Sequence, residues 1–277
     1  MLIVVTGANG MLGQDLVPIL KNTGYDVLET DIHNLDITCK DDVFKYITNN
    51  KPDFIIHAAA YTNVDGAELE QEKAFLINHT GTENLAVISG KLEIPMIYIS
   101  TDYVFDGTKD SPYQPDDKTN PLNVYGSSKL KGEEAVKKYN EKHYITRTSW
   151  LYGHKGKNFV ETMINLAKTK PELRVVDDQS GCPTWTVALS EAILKLIKTK
   201  KYGTYHVCGS GSTSWHEFAS KILEFMDINT PVIPVSSQEF KTAATRPMNS
   251  VMNNNGICPD WQESLKKYLE LRVEDKE

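Results

Sequence analysis

Several features are scarce in this chain, and each scarcity excludes a class of protein. Its four cysteines, Cys39, Cys182, Cys208 and Cys258, are scattered through 277 residues without a C-x-x-C pair or a His–Cys ligand spacing. That argues against a disulfide scaffold or a zinc ribbon and reads as free thiols in a reducing, cytoplasmic setting. No apolar run approaches the roughly 20 residues of a membrane-spanning helix, so no membrane association is expected. Basic charge is not in surplus: the formal net charge is −7. A nucleic-acid partner is therefore not expected, although a local basic pocket for an anionic small molecule is compatible with this balance. The opening M-L-I-V-V-T-G carries no basic stretch and runs straight into a glycine loop, which reads against a signal peptide. Internal repeats and low-complexity tracts are absent, and the closing E-D-K-E reads as a frayed end.

What is present is alternation. Strand-length apolar runs at Leu2–Val5, Asp26–Thr30, Phe54–Ala58, Met96–Ser100 and Tyr144–Thr148 are separated by helical spacing at Met11–Lys21, Asp41–Asn49, Lys73–Leu92 and Tyr125–Tyr139. This order predicts an α/β fold, a Rossmann-type doubly wound parallel sheet whose ligand lies at the carboxyl ends of the strands. Pro18 interrupts the first helical pattern and predicts a kink. Beyond about residue 158 the pattern loosens into helices at Phe159–Ala167, Thr186–Ile197 and Ser214–Phe225, with short strands at Arg174–Val176 and Thr204–Val207. The reading is a dinucleotide-binding domain over 1–150, which also receives elements from about 186–207. A smaller, partly interleaved substrate-binding domain lies mainly over 151–277.

The first chemical motif is T-G-A-N-G-M-L-G, with Gly7, Gly10 and Gly13 between a strand and a helix. Glycines there permit a tight turn and close approach of backbone to a diphosphate, and the helix N-terminus offers free N–H groups and a positive dipole end. Asp31 ends the second strand, where a carboxylate accepts hydrogen bonds from adenosine ribose hydroxyls and repels a 2′-phosphate, which favours NADH over NADPH. Asp36 and Ile37 stand where adenine would be met. In H-A-A-A-Y-T-N-V-D three small residues would let backbone lie against the cofactor or allow tight helix–sheet packing, and spacing alone does not choose between these.

Tyr125 and Lys129 stand at i and i+4 of a predicted helix, on one face. A free tyrosine has a pKa of about 10, so its phenol is a poor acid or base near neutrality. A nearby ammonium and an oxidised nicotinamide would bring that value down. In reduction Tyr125 would give its proton to a carbonyl oxygen, Lys129 would hold the nicotinamide ribose, and Thr101 would donate to the same oxygen. Y-x-x-x-K alone arises often by chance; after a glycine loop and a strand ending in S-T it is specific.

T-G-A-N-G-M-L-G, H-A-A-A-Y-T-N-V-D, I-S-T-D-Y-V-F-D-G and Y-G-S-S-K-L-K-G-E resemble the extended short-chain dehydrogenase/reductase family. R-T-S-W-L-Y-G, D-D-Q-S-G-C-P-T and A-T-R-P-M-N-S extend the resemblance almost to the end of the chain, and they look like its dTDP-4-dehydrorhamnose reductase branch. The resemblance implies NADPH or NADH as cofactor, a dTDP-sugar as substrate and reduction of its C4 ketone. It implies that Gly10, Met11, Leu12, Asp31, Asp36, Ile37, Ala60, Tyr61, Thr62 and Ile99 line the cofactor, together with Tyr125 and Lys129. Thr101, Asp102 and Trp150 would face the deoxysugar; without the resemblance Trp150 would read as a core aromatic. Arg246, in a segment with few other charges, is the candidate cation for the substrate diphosphate.

Two features refine this reading. Dehydratases of the same family resemble S-T-D-E, where the glutamate serves as base, whereas Tyr103 follows Asp102 here and disfavours elimination. Some reductases of the branch dimerise around magnesium held by acidic side chains. Asp15 could supply one ligand, but the turn after G-C-P-T reads W-T-V with no carboxylate, so no metal dependence is expected and a homodimer is left open. The alternatives are a reductase or epimerase for another nucleotide sugar, and a non-catalytic binding subunit of the methionine adenosyltransferase type.

Overall fold

The computed structural model describes residues 1–274, and the final three residues of the E-D-K-E tail lie outside the described residues. The first half runs β1 (Leu2–Thr6), α1 (Met11–Asn22), β2 (Asp26–Thr30), α2 (Lys40–Asn50), β3 (Phe54–His57), α3 (Val64–Leu69), α4 (Gln71–Phe75), a π-helical turn (Leu76–Gly81), α5 (Thr82–Lys91), β4 (Met96–Thr101), α6 (Val124–Tyr139) and β5 (His143–Thr148). The second half runs β6 (Leu151–Tyr152), α7 (Phe159–Ala167), β7 (Leu173–Val176), β8 (Ser180–Gly181), β9 (Thr184–Trp185), α8 (Thr186–Ile197), β10 (Gly203–His206), β11 (Thr213–Ser214), α9 (Trp215–Phe225), β12 (Val232–Val235) and α10 (Trp261–Glu274).

Six strands form one sheet in the order β2–β1–β3–β4–β5–β10, and every pairing is parallel. Side chains alternate across it, as the period of a strand requires. Ile3 and Val5 pack with Leu12, Leu16 and Leu20 of α1 and with Leu189, Ile193 and Leu196 of α8. Val4 faces the other way, into Val43 and Ile47 of α2, Leu85 and Ile88 of α5 and Val136 of α6. Each of these fully buried aliphatic side chains stabilises the fold by about 1.5–3 kcal/mol relative to exposure. Both faces are thus covered, and the sheet is doubly wound. The connections leave β1 in opposite directions, to β2 on one side and β3 on the other, so the crevice between β1 and β3 is the topological switch point.

The second half builds its own core, in which Val160 and Ile164 of α7, Phe218 and Ile222 of α9, and Trp261, Leu265 and Tyr268 of α10 meet. It also returns α8 and β10 to the first core and the main sheet. Two local expectations change. The helix predicted over 73–92 is broken: α4 passes into the π-helical turn before α5 begins. Helix α1 runs continuously through Pro18, which lies on its exposed face together with Gln14, the residue whose carbonyl loses its amide donor; there water can serve instead.

Candidate active site

At the switch point a cavity of about 530 Å³ opens between the strand ends and the second half of the chain. One wall is the loop from β1 to α1. Gly7 has a φ of +70° and lies against the segment just past β3, where a Cβ would come within 2.7 Å of the Ala59 amide nitrogen. A Cβ at Gly13 would come within 2.5 Å of the Gly7 carbonyl oxygen. Both positions therefore need glycine for close approach. Gly10, Met11, Leu12 and Gly13 line the cavity at the start of α1, whose first N–H groups have no intrahelical acceptor. This cradle has the shape and polarity that a dinucleotide diphosphate requires.

Asp31 lines the same cavity just past β2. Its carboxylate accepts hydrogen bonds from the Asn9 side-chain amide and from the His33 backbone N–H, 2.9 Å. Ala60, Thr62 and Ile99 also line the cavity. Asp36, Ile37 and Tyr61 do not. Asp36 accepts from the backbone N–H and hydroxyl of Thr38, at 2.9 and 2.7 Å, and borders an adjacent cavity of about 420 Å³ with His33 and Lys45. Ile37 is buried beneath the π-helical turn, against Gly81. Tyr61 turns its hydroxyl away to Glu70, 2.7 Å.

The π-helical turn explains how the loop before α3 is held. Buried Asn78 accepts from the Tyr61 backbone N–H, 2.8 Å, and donates to the Tyr61 carbonyl, 3.0 Å, and to the Ser128 hydroxyl on α6, 2.9 Å. One inserted residue in a helix re-aims a side chain, a frequent use of π-bulges at functional sites. Periodicity could not have revealed Asn78, because a π insertion leaves the apolar spacing on either side nearly helical.

On the opposite wall Asn123 caps α6 by accepting from the Gly126 N–H, 2.7 Å, and Tyr125 and Lys129 follow on the face toward the cavity. Thr101 and Asp102 reach it from the end of β4. The Thr101 hydroxyl donates to Asp102 Oδ1, 3.0 Å, while Asp102 Oδ2 is buried without a hydrogen-bond partner among the described residues. Burial dominates the electrostatics. It pushes the Tyr125 phenol up to about 12, with the Thr101 hydroxyl pulling it back, and raises the Asp102 carboxyl to about 6. It pushes the Lys129 ammonium down to about 7, opposed by the charge of Glu133. The expectation that Lys129 lowers the Tyr125 pKa is not met without cofactor, because loss of solvent raises it, the Asp102 charge adds to that, and only the Thr101 hydroxyl opposes. His57, buried between the hydroxyls of Thr6 and Thr82, is held down at about 3 by burial and by Lys129, and is neutral.

Trp150 is more than a core aromatic: it packs at the edge of the second core and also lines the cavity, with a φ of +46°, lying flat on Trp215. Trp215, the first residue of α9, was not singled out from the sequence. The S-W-H-E run does carry a helix-start signature, and Ser214 and Glu217 form a capping box here. That signature dates the helix start but says nothing of which cavity the start faces. Arg246 does not line the cavity; it makes a two-pronged ion pair with Asp65, at 2.7 and 3.1 Å. Asp15 accepts from the Thr186 hydroxyl between α1 and α8.

A family model described as RmlD substrate binding domain matches residues 1–273. The spore coat polysaccharide biosynthesis protein SpsK of Bacillus subtilis is 42% identical, over 98% of this chain and 97% of its own. The crystal structure of a dTDP-4-dehydrorhamnose reductase from Clostridium acetobutylicum superposes with a TM-score of 0.96 at 44% identity, covering 98% of this chain and 99% of that one. A dTDP-4-dehydrorhamnose reductase from Bacillus anthracis, solved in complex with NADP, gives 0.95 at 44% identity, with 98% and 99% covered. With its glycine cradle, its Tyr125–Lys129 wall and a match along nearly its whole length, the chain belongs to the RmlD substrate binding domain family and to the dTDP-4-dehydrorhamnose reductases within it.

Proposed function

We propose that this chain reduces the C4 ketone of dTDP-4-dehydro-β-L-rhamnose to dTDP-β-L-rhamnose with NADPH or NADH, the last step of dTDP-rhamnose synthesis. The observation that carries the reading is the convergence of Thr101, Tyr125 and Lys129 on one cavity that also holds the glycine cradle. Bound NADPH or NADH supplies a hydride. Gly7, Gly10 and Gly13 receive its diphosphate and Asp31 its adenosine ribose, while Lys129 holds the nicotinamide ribose. Tyr125 gives its phenolic proton to the ketone oxygen as C4 takes up hydride; one C–H and one O–H bond form, and the phenolate is reprotonated from solvent. A phenol held near 12 enters this step protonated, which is the state an acid needs. Thr101 donates to the same oxygen, and Trp150 supports the apolar face of the deoxysugar.

Tyr103 stands where elimination would need a carboxylate, and burial raises its phenol further, so it supplies no base. Arg246 is the cation for the diphosphate, and on binding it would exchange part of its pairing with Asp65 for phosphate oxygens. We further propose that residues 1–150 with α8 and β10 form the dinucleotide-binding domain, and that the rest of 151–277 mainly binds substrate. The two named reductases and the polysaccharide role in the name of the Bacillus subtilis relative support this pathway.

The test is nicotinamide absorbance on mixing protein with enzymatically generated dTDP-4-dehydro-L-rhamnose, trying NADH and NADPH separately, with and without EDTA. Oxidation with formation of dTDP-rhamnose, unaffected by EDTA, is expected. Cofactor binding without turnover would instead favour another sugar nucleotide or a non-catalytic role.

A further inference from the structure

The Y-G-S-S-K-L-K-G-E run contains an acidic residue that the reaction above leaves unused. Glu133 lies one turn beyond Lys129 and two beyond Tyr125, on the same stripe of α6. It is completely buried. Its Oε1 accepts from the Ser100 hydroxyl, 2.6 Å, and from Arg147 Nε, 2.9 Å; its Oε2 accepts from Arg147 NH2, 2.8 Å, with Lys137 Nζ at 3.8 Å.

Ser100 lines the cavity itself, and both partners immediately precede a cavity residue. Ser100 is followed by Thr101 at the end of β4, and Arg147 by Thr148 at the end of β5; the two strands pair Ser100 with Arg147 and Thr101 with Thr148. Arg147 is fixed further by donating to the Pro115 carbonyl, 3.0 Å, and by lying 5.0 Å from the centroid of the Phe105 ring. One carboxylate thus fastens two strand ends to the helix that carries the proton donor.

We propose that Glu133 is a positioning residue for the reaction, tying the strand end that presents Thr101 to the helix face that presents Tyr125 and Lys129, and placing a negative charge one turn from Lys129. This rests on the reading that Tyr125 and Lys129 serve the nicotinamide chemistry. An ion pair alone would not require this position, since replacing a buried pair with apolar residues is often neutral for stability. Burial pushes the Glu133 carboxyl up, but Arg147 and Ser100 more than offset it, so it is ionised. The titratable groups facing Lys129 are Tyr125 and Glu133 on α6, neutral His57 on β3, and Tyr98 on β4, whose ring centroid lies 4.2 Å from Lys129 Nζ. Glu133 is the anion among these, so its removal makes Lys129 lose its proton at lower pH.

The experiment compares wild type with Glu133→Gln and Ser100→Ala, and reads two quantities across pH 6–9. The first is the NADPH dissociation constant, from quenching of tryptophan fluorescence. The second is kcat and KM with the sugar nucleotide. For Glu133→Gln the rise of the NADPH dissociation constant with pH should begin about one pH unit lower than in wild type, and kcat should fall about tenfold or more while KM stays within about threefold, one unit being tenfold in equilibrium. Ser100→Ala should lower kcat by a smaller factor without moving the pH dependence. An unshifted binding profile with kcat within twofold of wild type would overturn the proposal. If Glu133→Gln does not fold, because Arg147 is left buried and unpaired, Glu133→Gln with Arg147→Met removes that charge, and the same shift is expected or the proposal fails. Wild type that binds NADPH but does not turn over the sugar would count against the proposed function alone, since the binding profile is read without substrate.

Discussion

The indole of Trp150 lies flat against that of Trp215, with ring centroids 3.5 Å apart and planes 6° from parallel. Trp150 holds an uncommon left-handed backbone, and a Cβ at Gly181 would collide with its ring, so Gly181 as well as Trp215 restricts where the indole can lie. An aromatic pair contributes about 0.5–1.5 kcal/mol beyond its buried area. Trp215→Ala should therefore raise KM for the sugar nucleotide about 3–10-fold, with the NADPH dissociation constant unchanged and kcat less affected. Trp215→Phe should recover most of the loss. Initial rates at varied substrate concentration decide it, and an unchanged KM would mean that Trp215 does not hold Trp150.

Removing the Tyr125 hydroxyl should cost on the order of 10²–10⁴ in kcat, the usual contribution of a general acid. Tyr125→Phe should still bind NADPH, and near-normal turnover would refute the assignment. With the phenol near 12 and Lys129 near 7, Lys129 is the one of these two that titrates first as pH rises. NADPH affinity should therefore weaken through about pH 7–8 in wild type and in Tyr125→Phe alike.

Burial raises the Asp102 carboxyl to about 6, above its value in an unfolded chain. Between about pH 4 and 6 the folded state holds a proton that the unfolded chain has released, so this group's contribution to stability declines as pH rises through that window. Above it the penalty is complete, up to roughly 3 kcal/mol for a shift of about two units. Asp102→Asn should melt several degrees higher than wild type at neutral pH, and the gain should vanish below about pH 4. Thermal melts across pH measure this, and an equal gain at every pH would assign the effect to packing.

Gly13→Ala tests the cradle through its sign. In an ordinary helix this change stabilises by up to about 1 kcal/mol. Here the new Cβ would press on the carbonyls of Gly7 and Ala8, so the melting temperature should fall and the NADPH dissociation constant should rise about tenfold or more. A stabilised variant with normal affinity would show that the loop yields without cost.

The sequence determined the layers and the chemical types of this protein. Strand runs such as Leu2–Thr6 and helix spacing such as that of α6 are set by periodicities of two and 3.6, which are local properties of the chain. The placement of Gly7, Gly13, Tyr125 and Lys129 was legible for the same reason, since a tight turn and an i, i+4 relation are also local geometry. Tertiary structure alone decided what meets across distance: Trp215 on Trp150, Asn78 on Tyr61, Arg246 on Asp65, and Glu133 on Ser100 and Arg147. It also decided that loss of solvent, rather than a neighbouring ammonium, sets the protonation of Tyr125 and Lys129. Desolvation depends on everything packed around a group, and no local spacing encodes it.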